Sequence, residues 1–229
     1  MRLNEIPRRL LGKMIHEVII LLSKILPEKG RVYTMHSIGD NRHALHISTN
    51  AFRAFLESIK DKNIVRLENW EKSKNFVCLT FDDVASSFYY NAFPLLKHYK
   101  MPFTVFVSCS LLDKNKYLTT EMLREIAACE LCTVGSHGFE HSYFRNFNYK
   151  EATSDLKSSK RVLENLVGRE VSVYAFPYGS LYACGFSRKN LIREYYKYGF
   201  GTIKAPINKW CVLPKYYLPR ISVLEELKG

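Results

Sequence analysis

The sequence has no internal repeat, no low-complexity tract and no long linker rich in glycine, serine or proline. Its 229 residues include only 11 glycines and 8 prolines, and hydrophobic residues make up 47% of the chain. These values exclude a collagen-like protein, a coiled-coil array and a wholly disordered chain. A chain of this length can bury one sizeable core but is too short for two full-sized domains, so we expect one domain.

The six cysteines lack the dense spacing of a disulfide framework. Cys129 and Cys132 form a CxxC pair, but a structural zinc site needs a second ligand pair at matching spacing, and the sequence has none. Cys78 lies inside an apolar run, as expected for a buried thiol. We therefore predict reduced cysteines and a cytoplasmic location.

Acidic residues are scarce beside basic ones, at 22 against 34, which gives a net charge of +12. The segment from Arg188 to Arg220 carries eight basic residues and one acid, so much of the excess lies there. Together with 15 tyrosines and 14 phenylalanines, this charge first suggests a polyanion such as nucleic acid. No nucleic-acid motif accompanies it, so we expect no nucleic-acid partner and favour an anionic substrate carrier or a membrane surface.

No apolar run is long enough to span a membrane. His16, Glu17 and Lys24 interrupt the apolar part of residues 6–26, which falls short of the ~20 residues that a span needs. The following Pro27 and Gly30 are typical of a helix end rather than of a signal-peptide cleavage site. We predict an amphipathic helix over residues 1–30 that packs on a single domain at 31–229. A helix lying on a membrane surface is the alternative.

From residue 31 onward, short apolar runs alternate with amphipathic segments of helical length. The predicted strands are 31–38, 76–81, 103–108, 131–135, 171–176, 200–204 and 217–223. The predicted helices are 49–61, 87–97, 119–128, 149–167 and 187–197. This alternation is typical of parallel β/α units and suits a small β/α barrel or a doubly wound sheet. In both folds, chemistry collects at the carboxyl ends of the strands.

Two pairs of polar residues directly follow apolar strands. Asp82 and Asp83 end the run VCLTF, where one carboxylate capping a helix and the other facing solvent would be the ordinary interpretation. His137 and His141 follow another predicted strand, and their spacing lets both imidazoles face one point. Two histidines and one carboxylate are a ligand set for catalytic zinc or non-haem iron. The second carboxylate is then free to take a proton from a water, which points to hydrolysis.

A third segment, Phe176 to Gly179, follows another predicted strand. It is typical of a turn that ends a strand and exposes the backbone. Its functional interpretation is an aromatic wall with a backbone N–H that stabilises an oxyanion.

These segments resemble the polysaccharide deacetylases of the NodB-homology type, carbohydrate esterase family 4. LTFDDV at 79–84 is similar to the family's TFDDG motif, SHGFEH at 136–141 to H[S/T]xxH, and AFPYG at 175–179 to RxPYG. The resemblance covers roughly residues 31 to 223. It implies an α/β fold, a distorted (β/α)7 barrel, here with an extra N-terminal helix.

The resemblance also implies roles for individual residues. Asp82 is the general base, while Asp83, His137 and His141 bind the metal, and the backbone N–H of Tyr178 helps to hold the oxyanion. The expected metal is Zn2+, although such ligands also accept Ni2+, Co2+ or Fe2+.

Two positions depart from the motifs of the family. Val84 stands where glycine is usual, and Ala175 stands where the third motif has the arginine that steadies the base. Arg220 in the segment LPRIS is our candidate to orient Asp82 in its place, with a solvated basic residue as the alternative.

The late histidine that acts as general acid in the family is also missing, because no histidine follows His141. His36, in TMHSIGD, resembles the histidine of circularly permuted members, in which the strand that carries the acid comes first. We predict that His36 is the general acid, with a buried structural histidine as the alternative. His43 and His46 lie nearby in loop-like sequence and carry less weight.

The expected function is a metal-dependent hydrolase that removes acetyl from an N-acetylated sugar. The alternatives are a deformylase or deacetylase of a lipid-phosphate-linked sugar, and a non-catalytic carbohydrate-binding relative. A lipid-linked substrate would place the chain at the cytoplasmic face of an anionic membrane.

Overall fold

The computed structural model describes residues 5–39, 45–185, 188–209 and 213–227. The strands are β1 (Glu28–Met35), β2 (Ser37–Ile38), β3 (His46–Ile47), β4 (Asn63–Ile64), β5 (Phe76–Asp82), β6 (Phe103–Val107), β7 (Cys132–Ser136), β8 (Val173–Ala175), β9 (Tyr198–Phe200), β10 (Ile207–Asn208) and β11 (Ile221–Ser222). The α-helices are α1 (Glu5–Ile25), α2 (Thr49–Ile59), α3 (Phe93–His98), α4 (Thr120–Ala128), α5 (Tyr149–Val167), α6 (Leu181–Cys184) and α7 (Val223–Glu226). The 3-10 turns are 67–72, 109–111, 144–146 and 188–194, and a π-helical turn covers 88–92.

One sheet organises the molecule, in the strand order β10-β1-β5-β6-β7-β8-β9. From β1 to β9 each neighbouring pair runs parallel, and β10 runs antiparallel to β1. β11 pairs with β1, and Leu218 forms a parallel bridge with Phe200 of β9. The segment 218–222 therefore links the two sides of a curled sheet, as the predicted α/β architecture requires.

Apolar residues cover both faces of the central strands. Every residue of β5 and of β6 is buried, which explains why these segments read as continuous apolar runs. A large core cluster joins one face of the sheet to the helices, with Phe52, Phe88 and Leu156 among its members. A smaller cluster that includes Trp70 and Phe106 packs on the other face.

Three predicted helices are confirmed with nearly the predicted bounds, as α2, α4 and α5. The capping box formed by Asn148 and Glu151 fixes the start of α5, and Gly168, in the left-handed region at φ +67°, ends it.

The predicted helix 87–97 is a π-helical turn followed by α3. Pro94 has no amide hydrogen, and the N–H of Phe93 donates to Phe88 O, five residues back. The predicted helix 187–197 was wrong as an α-helix, because the described part is a 3-10 turn over 188–194.

The two last predicted strands differ most from the structure. The sixth is β9 at 198–200 instead of 200–204, because the chain then leaves the sheet and Thr202 N–H donates to Gly179 O. The last strand is confined to 221–222, and α7 begins at Val223. Apolar residues at both sites fill loops that are packed against the core.

The predicted N-terminal helix is α1, which ends at Ile25. Residues 28–30 belong to β1, because Glu28 and Gly30 pair with Asn208 and Ile207 of β10. The helical segment is therefore shorter than the predicted 1–30. In the described part of the chain, no helix is long and apolar enough to cross a membrane.

Candidate active site

Asp83, His137 and His141 meet at the carboxyl ends of the sheet. Asp83 directly follows β5, and the two histidines follow β7, one strand further along the sheet than β6. Asp83 Oδ1 lies 3.2 Å from His137 Nε2 and 2.9 Å from His141 Nε2. The three candidate ligand atoms lie within 4.8 Å of one another, and no other such group occurs among the residues described.

The chemistry of these three side chains fits a divalent metal ion. Asp83 Oδ1 is buried and makes no hydrogen bond within the described structure, although two imidazole nitrogens lie close to it. His137 Nδ1–H donates to the carbonyl of Ala175 at 2.8 Å, which leaves Nε2 of the neutral ring with a lone pair directed at Asp83. Carboxylate oxygen and imidazole nitrogen are the donors that a catalytic zinc site uses.

Negative charge dominates this group when no cation is counted. Burial raises the pKa of Asp83, but the two adjacent imidazoles lower it further, so the net shift is well below its ordinary value. Burial lowers the pKa of His137, while Asp82 and Asp83 raise it, and the net shift is upward. A cation bound among them would compensate the Asp83 carboxylate.

Asp82 is buried and paired with Arg220, which is also buried. The guanidinium donates to both carboxylate oxygens, from Nη1 to Oδ1 and from Nη2 to Oδ2, each at 2.7 Å. It also donates to Gly201 O at 3.0 Å and Thr80 Oγ1 at 3.2 Å. Burial raises the pKa of Asp82, but Arg220, with help from His137, brings the net shift below its ordinary value. Asp82 is therefore an ionised, fixed carboxylate.

His36 enters the same cleft from the neighbouring strand. β1 pairs with β5 in a register that places Met35 opposite Phe81, so His36 follows one strand where Asp82 ends the other. A cavity of about 460 Å³ is lined by His36, Asp82 and Asp83 and also by Lys116 and Tyr117. Burial lowers the pKa of His36, and the two carboxylates oppose this shift only in part.

The third segment brings Tyr178 to the rim of the site. Its ring is half exposed, stacks on Tyr143 at a centroid distance of 4.0 Å, and lies 4.9 Å from the ring of His141. The backbone of Tyr178 is in the left-handed region at φ +62°, and its N–H donates to no acceptor in the described structure. This N–H is therefore available to a ligand.

Gly179 is required by close packing. A Cβ at this position would lie 2.3 Å from Thr202 Cγ2, and the φ of +58° favours glycine independently. The Gly179 carbonyl accepts hydrogen bonds from Thr202 N–H and from the hydroxyl of Tyr217.

Backbone strain is concentrated just after β5. Asp83 and Val84 have φ of +61° and +46°, a region that β-branched residues rarely adopt. This explains why glycine is usual at the position of Val84. The valine side chain is buried in the large core cluster, which offsets part of the strain.

Asp155 on α5 supports the loop of the two histidines and was missed by the sequence reasoning. Its carboxylate is buried and accepts hydrogen bonds from the backbone N–H groups of Phe139 and Glu140 at 2.9 to 3.1 Å. Burial raises the pKa of Asp155, although these N–H groups oppose the shift. Asp155 thus holds the loop between His137 and His141. An acid on the buried face of an otherwise amphipathic helix was the signal that could have identified it.

Other polar candidates lie outside the site. Cys129 at the end of α4 and Cys132 at the start of β7 are free thiols and belong to no ligand group in the described ranges. His46 pairs with Ser37 in the small β2–β3 sheet. His43 and Cys211 lie outside the described residues.

The sequence is similar to known polysaccharide deacetylases. Residues 70–200 match the family model described as polysaccharide deacetylase. Over 170 residues, the chain is 28% identical to the poly-beta-1,6-N-acetyl-D-glucosamine N-deacetylase of Staphylococcus aureus, covering 67% of this chain and 56% of that protein. It is 23% identical over 163 residues to YxkH of Bacillus subtilis, covering 67% and 58%. The chain thus spans little more than half the length of these relatives.

A solved structure shows the same fold. The deacetylase PplD of Streptococcus pyogenes superposes with a TM-score of 0.77 at 22% identity, covering 86% of this chain and 92% of that one. This similarity confirms the predicted distorted barrel of the NodB-homology type.

Proposed function

Because the chain belongs to the polysaccharide deacetylase family, we propose that it is a metal-dependent hydrolase that removes N-acetyl groups from a sugar of a polysaccharide or glycoconjugate. One observation carries this proposal. The ionised Asp82 and the ligand group of Asp83, His137 and His141 share one end of the sheet, and His36 completes the cleft.

The metal would be held by Asp83, His137 and His141, and Zn2+ is the ion that these donors favour. A bound divalent ion supplies Lewis-acid polarisation of the amide carbonyl and of the attacking water. Ni2+, Co2+ and Fe2+ suit the same donors and are to be compared with zinc in the reconstituted protein.

The side chains of the chain itself account for the proton movements. Asp82, held by Arg220, accepts a proton as water adds to the carbonyl carbon. The free N–H of Tyr178 donates to the carbonyl oxygen as negative charge develops there. The C–N bond then breaks, His36 gives a proton to the departing amine, and acetate is released. Because burial lowers the pKa of His36, its ring is mainly neutral near pH 7 and has to take up the proton that it gives to the amine.

The substrate class follows from similarity and from the rim of the cleft. The Staphylococcus aureus relative acts on poly-beta-1,6-N-acetyl-D-glucosamine, which makes a β-1,6-linked N-acetylhexosamine polymer the first substrate to test. The stacked rings of Tyr143 and Tyr178 provide an aromatic surface beside the metal ligands, suited to the apolar face of a sugar.

The test is acetate release, with metal content measured on the same samples. Purified protein is offered N-acetylhexosamine oligomers and polyprenyl-linked N-acyl sugars, and acetate and formate are quantified. We expect acetate from the wild type and from Asp61→Asn, an exposed matched control, and a severe loss in Asp82→Asn without loss of metal. Metal-loaded wild type that releases neither acetate nor formate would favour the carbohydrate-binding alternative. The cytoplasmic location and the absence of a nucleic-acid partner stay predictions.

A further inference from the structure

Helix α1 has two different faces. On its inner face Gly12 is buried, and Ile15 and Ile19 pack against the large core cluster. This contact fixes the helix on the domain. Its outer face carries large apolar side chains that are more than half exposed.

The outer face carries a continuous row of large apolar side chains. Its members share a spacing of three or four residues, and their exposed fractions lie between 55 and 74%: Leu10, Met14, Val18, Leu21 and Ile25. We call these five residues the outer stripe. Leu11 widens the row and is half exposed. An apolar row of this length is not typical of a surface that faces only water.

Basic side chains border the outer stripe along one edge. Arg9, Lys13 and Lys24 are exposed, and Glu17 is the one acid between them. The whole chain carries a net charge of +12. A lipid surface has phosphates in its outer layer and acyl chains beneath them. The basic edge of α1 suits the phosphates, and the outer stripe suits the acyl chains.

We propose that α1 lies flat on an anionic lipid surface, with the outer stripe buried among the acyl chains and the basic edge among the headgroup phosphates. The helix has 21 residues and does not qualify as a membrane span, so it lies in the interface. This proposal does not depend on the chemistry of the cleft, since it rests on α1 alone.

The basic edge of α1 connects this surface to the candidate site. Arg9, Lys13 and His16 line a cavity of about 690 Å³ together with Tyr143 and Tyr178. These two tyrosines form the rim beside His141. A bound helix would therefore hold the rim of the cleft close to the lipid headgroups, where the sugar of a lipid-linked substrate lies.

Vesicle flotation tests the proposal. The full chain is mixed with phosphatidylcholine vesicles that contain or lack phosphatidylglycerol, at low and at high salt. We expect binding to the anionic vesicles that weakens with salt. The triple variant Met14→Gln/Val18→Gln/Leu21→Gln should reduce binding at least tenfold, because glutamine keeps the helix but removes the buried apolar area. Lys24→Glu, which leaves the cavity lining intact, should reduce it about fivefold.

The control variant Tyr90→Gln/Tyr149→Gln removes two exposed aromatic side chains outside α1 and should bind as the wild type does. Circular dichroism verifies that each variant is folded. Three outcomes would overturn the proposal: no binding to anionic vesicles at low salt, equal binding by the triple variant, or a wild-type dimer in solution that the triple variant converts to a monomer. The last outcome would assign the outer stripe to a contact between two copies of the chain.

Discussion

The cleft and helix α1 depart from the usual distribution of polar and apolar residues in opposite ways. The cleft buries Asp82 and Arg220 and gives each charged atom a partner. Helix α1 leaves seven large apolar residues exposed, the five of the outer stripe together with Leu11 and Leu22. Buried charge is tolerated where it is paired, and exposed apolar surface is stable where something covers it. The Asp82–Arg220 pair is thus satisfied within the described structure, whereas the outer face of α1 is the surface for which we propose a lipid partner.

The largest effect is expected from a substitution of His36 in the cleft. His36→Ala removes the proposed proton donor of the cleft and should lower kcat by about 10²- to 10⁴-fold while metal content stays unchanged. Initial rates of acetate release and elemental analysis measure the two quantities. His98→Ala, on an exposed histidine, is the control. Turnover near that of the wild type would remove His36 from the mechanism, and loss of metal would make it a ligand instead.

The second-largest effect concerns the ion pair of Asp82 and Arg220 in the cleft. Arg220→Leu leaves the buried Asp82 carboxylate without its partner and should lower the free energy of unfolding by about 3–5 kcal/mol. Urea denaturation measures this change. The double variant Asp82→Asn/Arg220→Leu should regain part of the loss, since no unpaired charge remains. Equal destabilisation in both variants would mean that Arg220 acts through packing alone.

Asp155 gives a smaller effect, because it acts on the metal ligands only through the backbone of their loop. Asp155→Asn weakens the bonds to the N–H groups of Phe139 and Glu140 and should reduce metal affinity about 10- to 100-fold. Competition with a chelator measures the affinity, and Asp61→Asn serves as the control. An unchanged affinity together with a lower melting temperature would restrict Asp155 to a structural role.

The smallest effect is expected from a substitution on the outer face of α1. Val18→Gln changes an exposed side chain and should alter the free energy of unfolding by no more than about 0.5 kcal/mol. Hydrolysis of a soluble oligomer should not change. A stability loss well above this value in the isolated chain would show that the outer face is already covered within the molecule.

The sequence predicts best those features that depend on local pattern. The apolar run before Asp82 and Asp83 predicts β5, and the equivalent run before His137 predicts β7. Since parallel strands end on one side of a sheet, these residues were expected to meet, and the structure brings them together.

Features that depend on the curl of the sheet could be predicted only in part. Arg220 lies 138 positions from Asp82 in the sequence and reaches it because segment 218–222 closes the gap between β9 and β1. The resemblance to a family made Arg220 a candidate, but no local pattern distinguishes it from a solvated residue. The contacts of Asp155 depend on how α5 is rotated against the loop between His137 and His141. The sequence marks Asp155 as an acid on the buried face of the helix, but it does not give this rotation.

The hydrogen bond from His137 to the carbonyl of Ala175 also determines which substitutions the site can accept. Because the acceptor is a main-chain oxygen, no substitution of side chain 175 removes it, and the imidazole tautomer follows from the pairing of β7 with β8 at Ser136 and Tyr174. Position 175 is thus free to lose its usual arginine without disturbing the ring beside it. A substitution that shifts the register of β7 against β8 would turn His137 Nε2 away from Asp83, even if all three ligand residues were kept.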